Sequence, residues 1–275
     1  MFASNADVQI HYTDTGGDGT PVVFAHGFFM DGSQFDPQLP LVNEGHYRII
    51  RWDARGHGQT EAPAGQAFTY WDLASDCLAV MDHAGVDTAV IAGMSQGGYV
   101  ALRVALAAPE RVQSLILLDT AADASTPEEK GDYASLFSGW CDPEVPLMPM
   151  ALQLAPRLIG GTEADQIPWI NKWLNSDRLR IREAGDNLIN RDSILDRLDE
   201  ITCPALVLRG DHDPTSTAQK SADMASRLVG ARGLVTTVAD AGHAANWTHP
   251  KPTNAALSEF LFLFGTATAR RRAAA

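Results

Sequence analysis

Ala89-Val90-Ile91-Ala92-Gly93-Met94-Ser95-Gln96-Gly97-Gly98-Tyr99 is the stretch on which the fold turns. An apolar, β-branched run leads into Gly-x-Ser-x-Gly, and a helical pattern (Tyr99, Val100, Leu102, Val104, Ala105, Leu106) follows at once. A serine at a sharp strand-to-helix turn has a strained backbone and a hydroxyl pushed out of the sheet. Gly93 and Gly97 would remove the side chains that collide where strand and helix almost touch. The helix that follows points its first amides at the same spot, so negative charge developing there is stabilised. Taken alone the motif is short enough to arise by chance, and a plain glycine-rich turn in a βα unit accounts for it equally well.

The surroundings decide between these readings. Upstream, Val8, Ile10 and Tyr12 alternate with polar residues, which predicts a half-exposed edge strand. Pro21–Ala25 is continuously apolar, as in a strand buried on both faces, and it ends in His26-Gly27-Phe28-Phe29. A helical pattern through Phe35, Leu39, Leu41 and Val42 precedes a strand over Tyr47–Trp52, which ends in Asp53-Ala54-Arg55-Gly56-His57-Gly58. A helix is predicted over Tyr70–Ala84, before the serine strand. After the serine helix, Ser114–Asp119 reads as a buried strand. Strand and helix in alternation predict a doubly wound, mostly parallel sheet.

Residues 121–202 break that rhythm. The segment holds no strand-like run, several prolines and Gly160-Gly161, yet it carries Trp140, Leu147, Met148, Met150, Leu152, Trp169 and Trp173. It is too long and too apolar for a plain loop. The expected organisation is a core of residues 1–120 and 203–275 with a helical lid inserted between them. The lid's apolar residues either floor a pocket over Ser95 or simply pack the lid onto the core. Its arginines (Arg157, Arg178, Arg180, Arg182, Arg191 and Arg197) are candidates for a substrate carboxylate, although most should be solvated or paired with acidic neighbours. The alternation resumes at Ala205–Arg209, ending in Gly210-Asp211-His212-Asp213-Pro214. A helix over Thr217–Val229, a strand over Gly233–Val238, Gly242-His243 and a last helix over Thr253–Phe264 complete it.

Ligands of an open α/β sheet bind outside the carboxyl ends of its strands. His26-Gly27-Phe28, Ser95, the Asp211/Asp213 pair and Gly242-His243 all fall at such ends. A nucleophile, an acid and an imidazole thus come to one edge in the chain order Ser, Asp, His, the order of α/β hydrolases. The chain resembles that superfamily over nearly its whole length. The resemblance rests on His26-Gly27, Asp53-x-Arg55-Gly56-His57-Gly58, Gly93-x-Ser95-x-Gly97, Gly210-x-x-Asp213-Pro214 and Gly242-His243. Its Asp-x-Arg-Gly-His-Gly and Gly-Met-Ser-Gln-Gly-Gly look most like lid-bearing bacterial esterases, enol-lactonases and cofactor-free perhydrolases.

Chemistry and resemblance together assign roles. Ser95 attacks a carbonyl carbon, and His243, whose pKa lies near working pH, takes and returns its proton. Asp211 and Asp213 compete for the carboxylate that orients the imidazole. The resemblance, with its acid three residues after glycine, implies Asp213, and Asp119 is a rarer position for the acid in this fold. The oxyanion needs two backbone donors. Gln96, the residue after the nucleophile, supplies one; Phe28 supplies the other by resemblance. The phenyl rings of Phe28 and Phe29 either line the acyl pocket or pack the core. His26 and His57 are expected to be structural parts of their own loops.

The expected function is hydrolysis of a carboxylic ester or lactone of a small, uncharged, fairly apolar substrate. A perhydrolase (haloperoxidase) or a carbon–carbon bond hydrolase with the same three residues is the alternative. A small-ligand receptor on this fold is a third. Dehalogenases and epoxide hydrolases need an aspartate where Ser95 stands. No cofactor is implied, and the eight histidines form no paired metal-ligand spacing. A net charge of −13 argues against nucleic acid and anionic membranes as partners. The run Arg270-Arg271-Arg272 reads as a frayed tail. Cys77, Cys141 and Cys203 are far apart, and Met1–Asp7 has no basic-then-apolar leader pattern, so a cytoplasmic location is expected.

Overall fold

The computed structural model describes residues 1–44 and 46–265; the arginine run 270–272 lies outside the described residues. Eight strands form one sheet: β1 (Phe2–Asn5), β2 (Val8–Asp14), β3 (Thr20–Ala25), β4 (Tyr47–Trp52), β5 (Ala89–Met94), β6 (Val112–Leu118), β7 (Ala205–Gly210) and β8 (Thr236–Val238). Their order across the sheet is β1-β2-β4-β3-β5-β6-β7-β8. β2 runs antiparallel to both β1 and β4, and every pairing from β4 to β8 is parallel. β5 sits near the middle of the sheet with all six of its residues buried, and its register with β3 places Gly93 beside Ala25. Continuous apolar sequence in β3, β5 and β6 follows from this position, since each buried Val, Leu or Ile contributes about 1.5–3 kcal/mol.

Between the strands lie α1 (Tyr70–His83) and α2 (Gln96–Ala107), which pack on each other. The start of α1 is set by Thr69, whose hydroxyl caps Asp72 N–H while the Asp72 carboxylate accepts from Thr69 N–H. Such a cap contributes about 1 kcal/mol. After β7 come α7 (Ala218–Arg227), α8 (Ala245–Thr248) and α9 (Pro250–Phe264). Gln34 and Gln38, both fully buried, tie the 32–44 segment to Asn246 in α8 and to Asn254 in α9.

Several sequence expectations change. β2 is not the edge: β1, unforeseen, covers it, and the alternation in β2 marks its two differently covered faces. Residues Gly32–Glu44 form a kinked 3-10 helix because Pro37 and Pro40 cannot donate to an α-helical ladder. The strand expected over Gly233–Val238 is only Thr236–Val238, since Arg232 (φ 54°) and Gly233 (φ 72°) turn the chain through the left-handed region.

From Pro127 to Glu200 the chain is helical, with no strand among these residues. It comprises α3 (Pro127–Cys141), α4 (Leu147–Leu158), α5 (Glu163–Asn175) and α6 (Arg182–Ile189), with short 3-10 turns at Arg178–Ile181 and Leu195–Glu200. Trp140, Trp169 and Trp173 are buried, whereas Met148 and Leu152 face outward. Trp173 Nε1 donates to the Phe29 carbonyl at 2.7 Å, and the Trp140 ring lies 4.4 Å from that of Phe29. The helical segment therefore rests directly on the loop that follows β3. Among the described residues, no helix is long and apolar enough to cross a membrane.

Candidate active site

Ser95 joins β5 to α2 with φ 51° and ψ −116°. For a residue with a β-carbon this conformation is strained, and it persists only where its surroundings over-determine it. Ser95 N–H donates to the Leu118 carbonyl at 2.9 Å, and the Ser95 carbonyl accepts from Thr120 Oγ1 at 2.7 Å. The flanking glycines are sterically required: a β-carbon on Gly93 would sit 2.1 Å from the Gly97 carbonyl oxygen, and one on Gly97 1.9 Å from that of Ala25.

The loops after β7 and β8 complete a hydrogen-bonded line. Ser95 Oγ lies 3.0 Å from His243 Nε2, and His243 Nδ1 lies 2.9 Å from Asp213 Oδ2 and 3.0 Å from Oδ1. A carboxylate only accepts, so Nδ1 carries the proton and Nε2 is left to accept from the Ser95 hydroxyl. Burial works to raise the Asp213 pKa, but the His243 charge, its hydrogen bond and the Thr215 donors outweigh it and hold the carboxyl at about 2. Burial works to lower that of His243, and the charge and hydrogen bond of Asp213 overcome it, so the imidazole is more basic than an ordinary histidine.

The other acids weighed from the sequence stand elsewhere. Asp211 is exposed, and its carboxylate comes within 4.0 Å of His212 Nε2, not of His243. Asp119 is fully buried with φ 45°, and it bridges the two loops by accepting from Gly210 N–H at 2.7 Å and Ala245 N–H at 3.3 Å. Burial, with the Asp213 charge, pushes its carboxyl well above the usual range. It braces the loops without a hydrogen bond to the imidazole.

Gln96 N–H is the first amide of α2 and so has no acceptor inside the helix. Phe28 N–H meets no acceptor among the described residues, although both neighbouring amides are engaged: Gly27 with Gln34 Oε1 at 2.8 Å and Phe29 with His57 Nε2 at 3.1 Å. His57 in turn reaches the Arg55 carbonyl through Nδ1 at 3.0 Å. His26 makes the same kind of tie, with Nε2 accepting from Ala54 N–H at 2.9 Å and Nδ1 on the Gly27 carbonyl at 2.7 Å. The two histidines thus lock the loops after β3 and β4 to each other. The Phe28 and Phe29 rings are buried among His57, Phe137 and Trp140, so they join the loop to the helical segment above it.

Sequence reasoning missed three supports. Thr215 Oγ1 donates to Asp213 Oδ1 at 2.8 Å and lies 2.6 Å from His243 Nδ1; its only local signal is the turn Asp213-Pro214-Thr215. Thr120 steadies the Ser95 carbonyl, and Gln34 fills the Gly27 amide; nothing nearby in sequence marks either. Among the described residues, no three His, Cys, Asp or Glu side chains cluster so as to hold a metal ion. The arrangement has the chemistry to move the Ser95 proton onto His243, to stabilise the imidazolium with Asp213, and to present two amides to a negative oxygen.

The sequence pattern of the family described as the alpha/beta hydrolase fold matches residues 20–145. The (E)-2-((N-methylformamido)methylene)succinate hydrolase of Acinetobacter baylyi is 28% identical over 262 residues, 91% of this chain and 93% of that protein. A thermophilic esterase from Thermogutta terrifontis superimposes with a TM-score of 0.86 at 26% identity, covering 97% of this chain and 99% of that one. The chain has the α/β-hydrolase fold, and its sequence is similar to hydrolases and lactonases of that fold. The 3-oxoadipate enol-lactonase 2 of A. baylyi, 26% identical over 94% of this chain and 95% of its own length, is a further relative. The chain therefore shares its fold and end-to-end sequence similarity with proteins named as a hydrolase, a lactonase and an esterase.

Proposed function

We propose that the protein is a cofactor-free serine hydrolase that cleaves a carboxylic ester or lactone of a small substrate through an acyl-enzyme on Ser95. The observation that carries this reading is the unbroken line from Ser95 Oγ to His243 Nε2 at 3.0 Å and from His243 Nδ1 to Asp213 at 2.9 Å. His243 takes the hydroxyl proton as Ser95 Oγ attacks the carbonyl carbon. The C–O π bond breaks toward oxygen, and the resulting oxyanion rests on the Phe28 and Gln96 amides, each such donor lowering the barrier by about 3 kcal/mol. His243 then protonates the leaving alkoxide as the ester C–O bond breaks. In the second half-reaction a water attacks the acyl carbon, gives its proton to His243, and Ser95 leaves with that proton.

Two relatives are named for a succinate derivative and for a 3-oxoadipate enol-lactone, which supports a small substrate with a reactive acyl carbon. The aromatic wall of Phe28, Phe29, Phe137 and Trp140 suits apolar groups near that carbon. A cytoplasmic setting belongs to the same proposal and is supported by three unpaired thiols, Cys77, Cys141 and Cys203. Stopped-flow hydrolysis of aryl esters across acyl lengths, beside a panel of lactones, tests the mechanism. One equivalent of alcohol should appear in a burst, and Ser95→Ala should abolish turnover. Full activity in Ser95→Ala would sink the acyl-enzyme.

A further inference from the structure

The loop after β3 carries a strain that its own sequence does not relieve. Met30 N–H donates to the Gly27 carbonyl at 3.2 Å and closes a four-residue turn with Phe28 and Phe29 at its centre. Phe29 has φ 63°, whereas Phe28 is not among the residues of positive φ. That is the type II pattern, whose third position favours glycine because a β-carbon is crowded there. A phenylalanine stays in it only where its surroundings hold it. The turn matters through its first peptide unit. The Gly27 carbonyl accepts from Met30 N–H and lies 2.7 Å from His26 Nδ1. In a trans peptide the N–H points away from the carbonyl, so these two bonds set where the open Phe28 N–H is aimed.

Three groups of Phe29 are held, and two of the holds come from the helical segment. Its N–H donates to His57 Nε2, in the loop after β4, at 3.1 Å. Its carbonyl accepts from Trp173 Nε1 of α5 at 2.7 Å. Its ring lies 4.4 Å from that of Trp140 in α3 and 5.9 Å from that of Trp173. Lys172, the residue before Trp173, reaches past Phe29 to both oxygens of Asp31, at 2.9 and 2.6 Å. With the Lys172 side chain 42% exposed, that ion pair is screened and holds weakly. The Trp173 bond is buried, where an unmatched carbonyl is costly, so it is the firmer of the two ties.

We propose that Trp173 is a positioning residue of the oxyanion hole: by holding the Phe29 carbonyl, its indole N–H keeps the turn in the conformation that aims Phe28 N–H at the oxyanion. Without that bond Phe29 relaxes toward negative φ, and the Gly27–Phe28 peptide loses the Met30 bond that fixes it. Phe28 N–H then swings off its mark while the line of Ser95, His243 and Asp213 stays intact. The helical segment thus gives one of the two oxyanion donors its aim, beyond covering the site. This deepens the serine-hydrolase reading and rests on it for the oxyanion. A second indole offers an internal control. Trp247 Nε1 donates to the Asp165 carbonyl at 2.9 Å, which ties α8 to the other end of α5 without a bond to the loop after β3 among the described residues.

Inhibition by an aryl trifluoromethyl ketone and by its secondary alcohol separates aim from docking. Ser95 Oγ adds to the ketone carbon, its proton passes to His243, and the hemiketal oxygen carries its negative charge to the two amides; the alcohol cannot add. In Trp173→Phe the Ki of the ketone should rise about tenfold, while that of the alcohol stays within about twofold. For an aryl ester, kcat should fall about tenfold with KM within about twofold. Replacing Trp173 by 3-benzothienylalanine, which keeps the rings and puts sulfur where Nε1–H donates, should give the same split and serves if Trp173→Phe does not fold. Trp247→Phe should lower Tm yet leave the ratio of ketone to alcohol Ki within about twofold. Equal weakening of ketone and alcohol in the position-173 variants, an unmoved ratio, or the same shift in Trp247→Phe overturns the positioning role alone. A wild type that hydrolyses no aryl ester and binds the ketone no better than the alcohol overturns the hydrolase reading, and the positioning role falls with it.

Discussion

His243 and His57 are both buried imidazoles in loops that follow strands of the same sheet, one after β8 and the other after β4. His243 faces the Asp213 carboxylate and is more basic than an ordinary histidine. His57 faces backbone groups and the neighbouring His26, and burial with that neighbour drives its pKa down to about 3. Equal burial thus yields opposite outcomes. The difference is one carboxylate: with it, the imidazole can carry a proton through a reaction; without it, the ring stays neutral and serves as a fixed acceptor.

The largest test of this contrast lies at the centre of the His243 side. Ser95→Ala should lower kcat for an aryl ester by about 10⁶-fold, the scale seen when the nucleophile of a Ser–His–Asp unit is removed. Asp213→Asn keeps the shape but takes away the charge that distinguishes the two histidines. It should cost about 10⁴ in kcat, and it should also bring the His243 pKa down in an NMR titration. An unchanged pKa would mean that Asp213 is not what separates His243 from His57.

On the other side, His57→Phe leaves the Phe29 amide without its acceptor. That substitution should cost about 1–3 kcal/mol of stability, read as a lowered Tm. Its effect on kcat should stay near tenfold, because only the positioning of the Phe28 loop suffers. Asp119→Asn should be smaller still, within about threefold at neutral pH, since an amide oxygen can still accept from Gly210 N–H. A loss as large as that of Asp213→Asn would make Asp119 the working acid.

Acidity separates the two histidines again. His243 must be neutral to accept a proton, so kcat/KM should fall as pH drops through a value above the ordinary 6.5. Its raised pKa stabilises the fold below the unfolded value, and that contribution is lost as pH rises through the folded one. His57 has the opposite sign. Its stabilisation is complete above 6.5 and drains away as pH falls toward about 3, because the unfolded ring binds a proton that the folded ring refuses. In Tm measurements across pH, His57→Phe should flatten the acid side and leave the neutral side parallel to wild type.

Strands β3 to β7 were legible within one or two residues, because burial on both faces of a parallel sheet imposes continuous apolar runs. Less was legible where chain contacts outweigh pattern. β1 is four residues long and exists by pairing with β2, and the 32–44 segment carries a helical apolar pattern that its prolines turn into a 3-10 helix. At the site, Ser95, His243 and the Gly210-to-Pro214 turn announce themselves by local chemistry. Thr215, Thr120 and Gln34 do not, because a lone Thr or Gln looks the same whether it holds an active loop or faces solvent.

By itself, then, the sequence determined the sheet, the turn at Ser95 and the order of a serine, an acid and a histidine along its edge. These depend on periodicity and on residues whose backbone or side-chain chemistry is local. Tertiary structure alone decided how Asp213 rather than Asp211 meets His243, and why Phe28 N–H stands open while its neighbours are bound. Each of these depends on which groups from distant segments share a low-dielectric space. There, a single neighbour, carboxylate or carbonyl, sets whether a buried group is fixed, charged or ready to bind.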